Sequence, residues 1–330
     1  MSRLPSKWRK VSGQGLLGIT VLPLLLLSPA FAAGQSCALK QGPLRTVVRV
    51  NDAESITLED GSEVRLAGIL SPRARDGNAA SGSWPPETDA SATLSAMLLG
   101  QAVELGFGAT RTDRYERHVA HLFLGKGTNR VWVQGALLSS GHARAQALPG
   151  ATECLPELLA HERVARQGRL GLWRVGFYRP KSSARVALLM YLRSSFQLVA
   201  GRVNSVSHTK GGIYLNFGAD WRQDFTVHIP KSVTAANPDW AGALDGFKDK
   251  YIEVRGWIER RNGPAIAISH PSEIEILPFG VSQRFRWARP ESSSTRSQPR
   301  DAIPGPPDRN QPPAPNEERP EPRAPGAVDL

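Results

Sequence analysis

The sequence predicts a β-rich α+β protein, and three observations lead to this fold class. Two blocks, at about 43–173 and 197–278, alternate apolar and polar residues with the period of β-strands. Clusters of Gly, Pro, Asn and Asp separate the runs, as turn residues do. A smaller number of segments have a helical period. The chain has 330 residues and 40% apolar content, which suits a globular protein of two ordinary domains.

The N-terminal segment 1–33 has the pattern of a secretory signal peptide. Four basic residues and no acidic residue precede an apolar run at 16–27, and Ala30-Phe31-Ala32 has the spacing of a cleavage site. The apolar run is about a dozen residues long, whereas a membrane span needs roughly 20. We therefore expect an exported protein, periplasmic or secreted, without stable membrane insertion after signal removal. An uncleaved membrane anchor is the alternative.

Export determines how the two cysteines, Cys37 and Cys154, are interpreted. In an oxidising compartment one pair most simply forms one disulfide, which stabilises by about 4 to 5 kcal/mol in the chain-entropy model. Two buried free thiols are the alternative.

The first block predicts five strands, with one helix between the third and fourth strands and two helices after the fifth. We expect strands at 46–50, 55–59, 63–69, 102–107 and 118–124, and helices at 87–99, at 131–140 before a stop at Gly141, and from Pro156 onward.

The second block predicts strands at 198–206, 212–218, 224–230, 251–259 and 265–277, with a short helical insert at 240–249. Five strands with a helix between the third and fourth is the layout of an OB-like barrel, although other small β-barrels fit the same pattern. A connector at 174–196 includes a run, 185–196, that favours a helix.

The segment 281–330 differs in composition from both blocks. It holds 11 prolines and few apolar residues, so we expect a disordered tail. Without the four basic residues of the signal peptide, the formal charge falls from +11 to +7. A basic excess of this size suits a polyanionic partner such as nucleic acid.

Four stretches of the first block occur in a characteristic order and spacing. They are VNDAESITLEDG (50–61), VRLAGILSP (64–72), TDRYERHVAHLFL (112–124) and ERVARQGRLGLW (162–173). Together they make the block resemble the thermonuclease (staphylococcal nuclease) family. The resemblance implies a five-stranded OB barrel with three helices, and hydrolysis of DNA and RNA phosphodiesters with calcium.

The resemblance also implies roles for basic residues. Arg65 and Arg117 fall on the two arginine positions that face the phosphate in that family. Arg114 and Tyr115 fall where the family has a basic residue and a ring near the nucleotide. The basic residues that the resemblance expects around the phosphate are therefore present.

The acidic side departs from the family pattern. The two calcium-binding aspartate positions hold Glu54 and Leu70, and the position of the glutamate that activates water holds Arg73. Leu70 offers no oxygen to a cation. Glu54, with Asp52 beside it, is the remaining candidate metal ligand. A guanidinium about 4 Å from the cation would oppose it by roughly 4 kcal/mol at an effective dielectric near 20.

Two outcomes follow for the metal. Asp76, Glu87 or Asp89, in or beside the following loop, would restore a calcium site if one of them reached the cleft. Otherwise Arg65, Arg73 and Arg117 would form a pocket that binds a phosphate without metal or cofactor, because guanidinium groups match phosphate oxygens two at a time.

The second block adds a further candidate surface. Alternation in YIEVRGWIE places Tyr251, Arg255 and Trp257 on one face, with Tyr214 and His228 as an extension. Such a stripe either contacts bases or packs against the first domain, and packing is the favoured interpretation.

The leading interpretation is an exported, catalytically disabled member of the nuclease fold that binds nucleic acid or another polyanion through arginines. The alternatives are an active secreted metal-dependent nuclease with a rearranged site, and a cell-envelope module for protein contacts. The sequence identifies no protein partner.

Overall fold

The computed structural model describes residues 37–80, 82–148 and 150–278. The expected signal peptide at 1–33 and the expected tail at 281–330 lie outside these residues. Within the described ranges no helix is both long enough and apolar enough to cross a membrane. Cys37 and Cys154 form a disulfide, which links the segment before the first strand to the start of the third helix.

The strands and helices of the first block follow the predicted order. In chain order they are β1 (Lys40–Asp52), β2 (Ser55–Leu58), β3 (Glu63–Leu66), β4 (Ile69–Leu70), α1 (Pro85–Leu98), β5 (Ala102–Phe107), β6 (His118–Leu124), β7 (Val131–Trp132), α2 (Val133–Ser139), β8 (Arg144–Ala145) and α3 (Leu155–Gly168).

Five of these strands close into a barrel. β1 pairs antiparallel with β2 and β5, β2 pairs with β3, and β5 pairs with β6. A parallel pairing between β3 and β6 completes the ring. The inward residues of the strands, among them Val47, Ile56, Val64, Leu105 and Leu122, form one buried core with α1 to α3. The alternation in the sequence thus predicted these strands, and the family resemblance predicted the barrel that they form.

Gly141 ends α2 as the sequence predicted. Its φ is +78°, in the left-handed region, and a Cβ there would lie 2.4 Å from the backbone oxygen of Leu170. Only glycine fits both conditions without a shift of the chain.

The remaining elements form a second sheet. They are β9 (Lys181–Ser182), α4 (Val186–Tyr191), β10 (Phe196–Arg202), β11 (Ser205–Thr209), β12 (Gly212–Asn216), β13 (Thr226–Pro230), α5 (Lys231–Ala236), α6 (Pro238–Gly242), β14 (Tyr251–Arg261), β15 (Gly263–Ala267) and β16 (Ile274–Ile276).

The strands of this sheet run in the order β11-β12-β13-β15-β14-β10-β9, and β16 pairs with β14. β13 and β15 are parallel, as are β9 and β10. β10 and β11 are separated by only two residues, so one bent strand pairs with β14 through its first part and with β12 through its second. This order agrees with the expected OB-like layout, and closure of a second barrel stays a prediction.

Several element boundaries differ from those predicted. In the first block, the strand expected at 63–69 divides into β3 and β4, and the helix expected at 131–140 begins at Val133 after β7. The strand expected at 198–206 divides because Val203 turns into the core and Asn204 pairs with Asn216. The strand expected at 265–277 is interrupted at Pro271, which begins a 3₁₀ turn. The helical insert starts earlier than expected, with α5, and Pro238 begins α6.

An apolar cluster lies where the first barrel and the second sheet meet. It contains Leu70, Ala165, Leu172, Trp173, Tyr178, Phe196 and Leu198. Buried ion pairs border it: Arg255 binds Glu162 through two hydrogen bonds of 3.0 Å, and Arg166 binds Glu253 at 2.8 Å. We call these residues the junction. The predicted domain boundaries themselves stay a prediction.

Candidate functional site

The candidate site lies at one end of the first barrel, around the β1–β2 turn. Asp52 pairs with Ser55 across this turn, and Ser55 pairs in turn with Arg65 on β3. The backbone oxygen of Glu54, in the turn, accepts a hydrogen bond from Leu66 N at 2.8 Å. Barrel register therefore places Arg65 next to Glu54.

The Glu54 carboxylate is buried and surrounded by donors. Its Oε1 accepts a hydrogen bond from Nη2 of Arg73 and lies 3.9 Å from Nη2 of Arg65. Its Oε2 accepts the backbone N–H of Ser71 at 2.9 Å and the Ser71 hydroxyl at 3.3 Å. Two guanidinium groups and one carboxylate leave a local charge of +1.

Asp52, the other candidate metal ligand, caps the turn. Its Oδ1 accepts the backbone N–H of Glu54 at 2.8 Å. This is an ordinary role for an aspartate two residues before the donor in a turn.

Leu70 belongs to the junction cluster and is 3% exposed. It lies on β4 opposite Arg144 on β8. Arg144 is also buried: it donates to the backbone oxygen of Phe196 at 2.7 Å and pairs with Asp76 at 3.3 Å. Leu70, which the resemblance placed at a calcium-ligand position, is therefore a packing residue in the structure.

The carboxylates that could have restored a metal site have other partners. Oδ2 of Asp76 accepts hydrogen bonds from Arg144 Nη2 and from the hydroxyl of Tyr178 at 3.1 Å. Glu87 accepts the backbone N–H groups of Ala74 and Gly82, and Asp89 is exposed on α1. Within 37–80, 82–148 and 150–278, no cluster of three or more His, Cys, Asp or Glu residues has a geometry that would hold a metal.

Arg117 is held by Asp113 in the turn before β6. Its Nε and Nη2 donate to Asp113 Oδ2 at 2.9 and 2.7 Å, while Asp113 Oδ1 accepts the backbone N–H groups of Tyr115 and Arg117. Burial works against ionisation of Asp113, but these hydrogen bonds hold the pKa of its carboxyl below the usual value. Asp113 and Arg117 are therefore ion-paired near neutral pH.

Tyr115 projects from this turn and is 62% exposed. The guanidinium carbon of Arg114 lies 4.7 Å from its ring centroid, and that of Arg117 lies 5.3 Å away. An exposed ring between two cations can stack on a base while the cations meet phosphates. An open cleft of about 510 Å³ lies beside Arg117, with Arg49, Asp52 and Glu63 on its walls.

The structure brings Arg65 and Arg73 together on Glu54 and places Arg117 on Asp113. The Nε–H of Arg65 is buried and has no hydrogen-bond partner within the described part of the chain. Sequence reasoning missed Ser71 and Asp113. Asp113 could have been found from the sequence, because it lies four residues before Arg117 in the same motif. Ser71 could not, because its contact with Glu54 depends on tertiary packing.

The stripe predicted on the second block needs a correction. Arg255 is buried against Glu162 and the backbone oxygen of Ala145, so it is a junction residue and does not contact ligands. Trp257 packs edge to face on Phe196, with Arg75 over its ring. Tyr214 and His228 stack on each other at 4.7 Å, away from the junction on paired strands β12 and β13. Packing, the favoured interpretation, therefore holds for Arg255.

The fold and this site define a protein with a five-stranded nuclease-type barrel. Residues 63–175 match the family described as Staphylococcal nuclease homologue, so the chain contains a domain of that family from β3 to just beyond α3. A domain of this kind indicates a nuclease-like or nucleic-acid-binding function. A search of curated proteins finds no match.

Proposed function

We propose that the protein binds nucleic acid or a similar polyanion through the arginines of the nuclease-type barrel and has lost phosphodiester hydrolysis. The observation that carries the proposal is that both oxygens of the Glu54 carboxylate already have partners. They accept hydrogen bonds from Arg73 and Ser71, and Arg65 lies within ion-pair distance.

The residues present do not fit a calcium ion. Calcium takes about six to eight oxygen ligands, and its binding here would require Glu54 to release Arg73 and Ser71. The freed guanidinium of Arg73 would then lie next to the cation and repel it. Leu70 adds only hydrocarbon to the same place. No step of hydrolysis is therefore assigned to this site.

The basic groups support phosphate binding without metal. Arg73 is partly exposed, the buried Nε–H of Arg65 lacks a partner within the described chain, and Arg114 and Arg117 flank the exposed ring of Tyr115. Charge-assisted hydrogen bonds from guanidinium to phosphate are among the stronger polar contacts in proteins. The combination of cations with a ring favours nucleic acid over a polyanion without bases.

We also propose that the protein is exported. The charged and apolar pattern of 1–33 and the disulfide between Cys37 and Cys154 support this, since structural disulfides persist in oxidising compartments. Fractionation of cells that express the full chain would test it, with recovery in the cytosol as the contrary result.

Binding to single-stranded DNA and RNA by the full chain tests the proposal, measured with chelator present and over a series of salt concentrations. We expect affinity that does not need metal and falls as salt rises. The double variant R65A/R117A should weaken binding about 10- to 100-fold and reduce the salt slope by about one to two, since each phosphate contact contributes about 0.7 on a single strand.

Arg163, which is exposed and lies 3.8 Å from Glu275 outside the site, provides the control variant R163A. Equal affinity of R65A/R117A and R163A would contradict the proposal.

A further inference from the structure

A pocket on the second sheet lies outside the site described above. Its volume is about 570 Å³, within the range of about 300 to 1,000 Å³ that small-molecule sites occupy. Two hairpins form its walls: Thr209 and Gly211 come from the β11–β12 turn, and Arg261 and Asn262 come from the β14–β15 turn. The loop after β12 adds Trp221.

Two aromatic side chains line this pocket. Trp221 is 51% exposed, although a tryptophan in a small β-domain is usually covered. Tyr214 lies on β12 and its ring stacks on His228 with an interplanar angle of 24°. Burial lowers the pKa of His228, which favours the uncharged imidazole as the ring on which the tyrosine stacks.

The polar groups of the pocket are ordered, and two guanidinium groups lie at or beside it. Asn216 donates to the hydroxyls of Ser205 and Ser207 at 3.2 Å, which fixes its amide at the pocket wall. Arg261 lines the pocket while its Nε donates to Glu259 at 2.6 Å, and the guanidinium carbon of Arg222 lies 4.8 Å from the Trp221 ring. Among the described residues that line it there is no aspartate or glutamate.

We infer that this pocket binds a nucleobase of a single-stranded nucleic acid, with the base stacked on Trp221 and Tyr214 and the neighbouring phosphate near Arg261. Rings on an ordered polar wall suit a flat heteroaromatic group, and a lining without aspartate or glutamate leaves room for a phosphate beside Arg261, where it would compete only with the exposed Glu259. A base paired in a duplex would not be free to enter.

The inference rests on the proposed function and narrows it, because a pocket for bases separates single-stranded nucleic acid from polyanions in general. The arginines of the first barrel would bind the backbone regardless of base, whereas the pocket would bind only where a base is present. The two contributions can therefore be measured separately.

The test compares a labelled single-stranded DNA oligonucleotide with an abasic oligonucleotide of the same length, using the full chain and fluorescence anisotropy. We expect the wild type to bind the base-containing strand about 5- to 150-fold more tightly, the range that stacking on an aromatic side chain provides. W221A should lose this preference and leave abasic binding unchanged. W221F, which keeps a ring, should retain most of the preference.

Y191A is the matched control, because Tyr191 is an exposed aromatic residue that does not line this pocket. It should keep the wild-type preference, and R65A/R117A should weaken binding of both oligonucleotides by the same factor. If W221A kept the preference while R65A/R117A still weakened binding, the inference would be wrong and the proposed function would stand. If the wild type bound neither oligonucleotide, both would be wrong.

Discussion

Two groups of arginine–carboxylate pairs, one at the junction and one at the candidate site, show how burial decides the role of a guanidinium. At the junction, Arg255 and Glu162 are 5% and 1% exposed and satisfy each other through two hydrogen bonds. At the candidate site, Glu54 is equally buried, but its partners Arg65 and Arg73 are 20% and 38% exposed. The buried Arg255 therefore has no guanidinium edge left for a ligand, whereas Arg65 and Arg73 do have one.

Leu70 lies on the buried side of this comparison. It packs in the junction cluster and pairs across β4 and β8 with the buried Arg144. Burial therefore makes Leu70 a packing residue, whereas the arginines of the candidate site remain partly exposed.

Restoring a carboxylate at position 70 should unfold the protein and should not restore a metal site. L70D would remove a buried leucine, which alone costs about 2 to 5 kcal/mol, and would bury a carboxylate beside apolar rings. We expect a loss of more than about 4 kcal/mol in the free energy of unfolding by denaturant. L99D, at an exposed leucine, is the control and should change it by less than about 1 kcal/mol. A stable L70D protein that binds calcium would contradict this account.

Removing the charge of Glu162 should destabilise the junction by about 3 to 5 kcal/mol, because E162Q leaves the Arg255 guanidinium buried without a counter-ion. Chemical denaturation would measure the change. E275Q, which affects the exposed pair with Arg163, should cost no more than about 1 kcal/mol. Similar losses of unfolding free energy for E162Q and E275Q would mean that the Arg255–Glu162 pair does not stabilise the junction.

The same pair should also give a pH dependence. Burial opposes ionisation of Glu162, but the charge and hydrogen bonds of Arg255 hold its folded-state pKa below the usual 4.5. A lowered folded pKa contributes stability that is present above about pH 4.5 and is lost as the pH falls through the folded value. The difference in unfolding free energy between wild type and E162Q should therefore shrink on acidification below pH 4.5. A difference that grows there would have the wrong sign.

The smallest effect is expected from D113N, which affects the partly exposed Asp113–Arg117 pair of the candidate site. Arg117 loses its counter-ion but remains partly exposed, so stability should fall by about 1 kcal/mol or less. Affinity for single-stranded DNA should rise a few-fold, because Asp113 no longer competes with phosphate for the guanidinium. Weaker binding by D113N would show that the ion pair positions Arg117 for its ligand.

Sequence patterns predicted the strands and the order of the helices in the first block because strand alternation and the stop at Gly141 are local signals. The closure of these strands into a barrel was predicted by the family resemblance. Sequence patterns could not predict that Arg73 turns onto Glu54, or that Glu162 is the partner of Arg255, because both depend on what packs against the strand from another part of the chain. Alternation alone placed Arg255 outside the barrel, and the face that is outside the barrel is covered by α3 through Glu162.

The central claim is that the arginines hold the polymer while Glu54 is unavailable to a metal. Incubation of the full chain with end-labelled single-stranded DNA and RNA, in calcium and in chelator, tests it when the length of the strands is read on a denaturing gel. We predict strands of unchanged length in both conditions at protein concentrations that bind them completely. Calcium-dependent shortening that R65A/R117A abolishes would contradict the account.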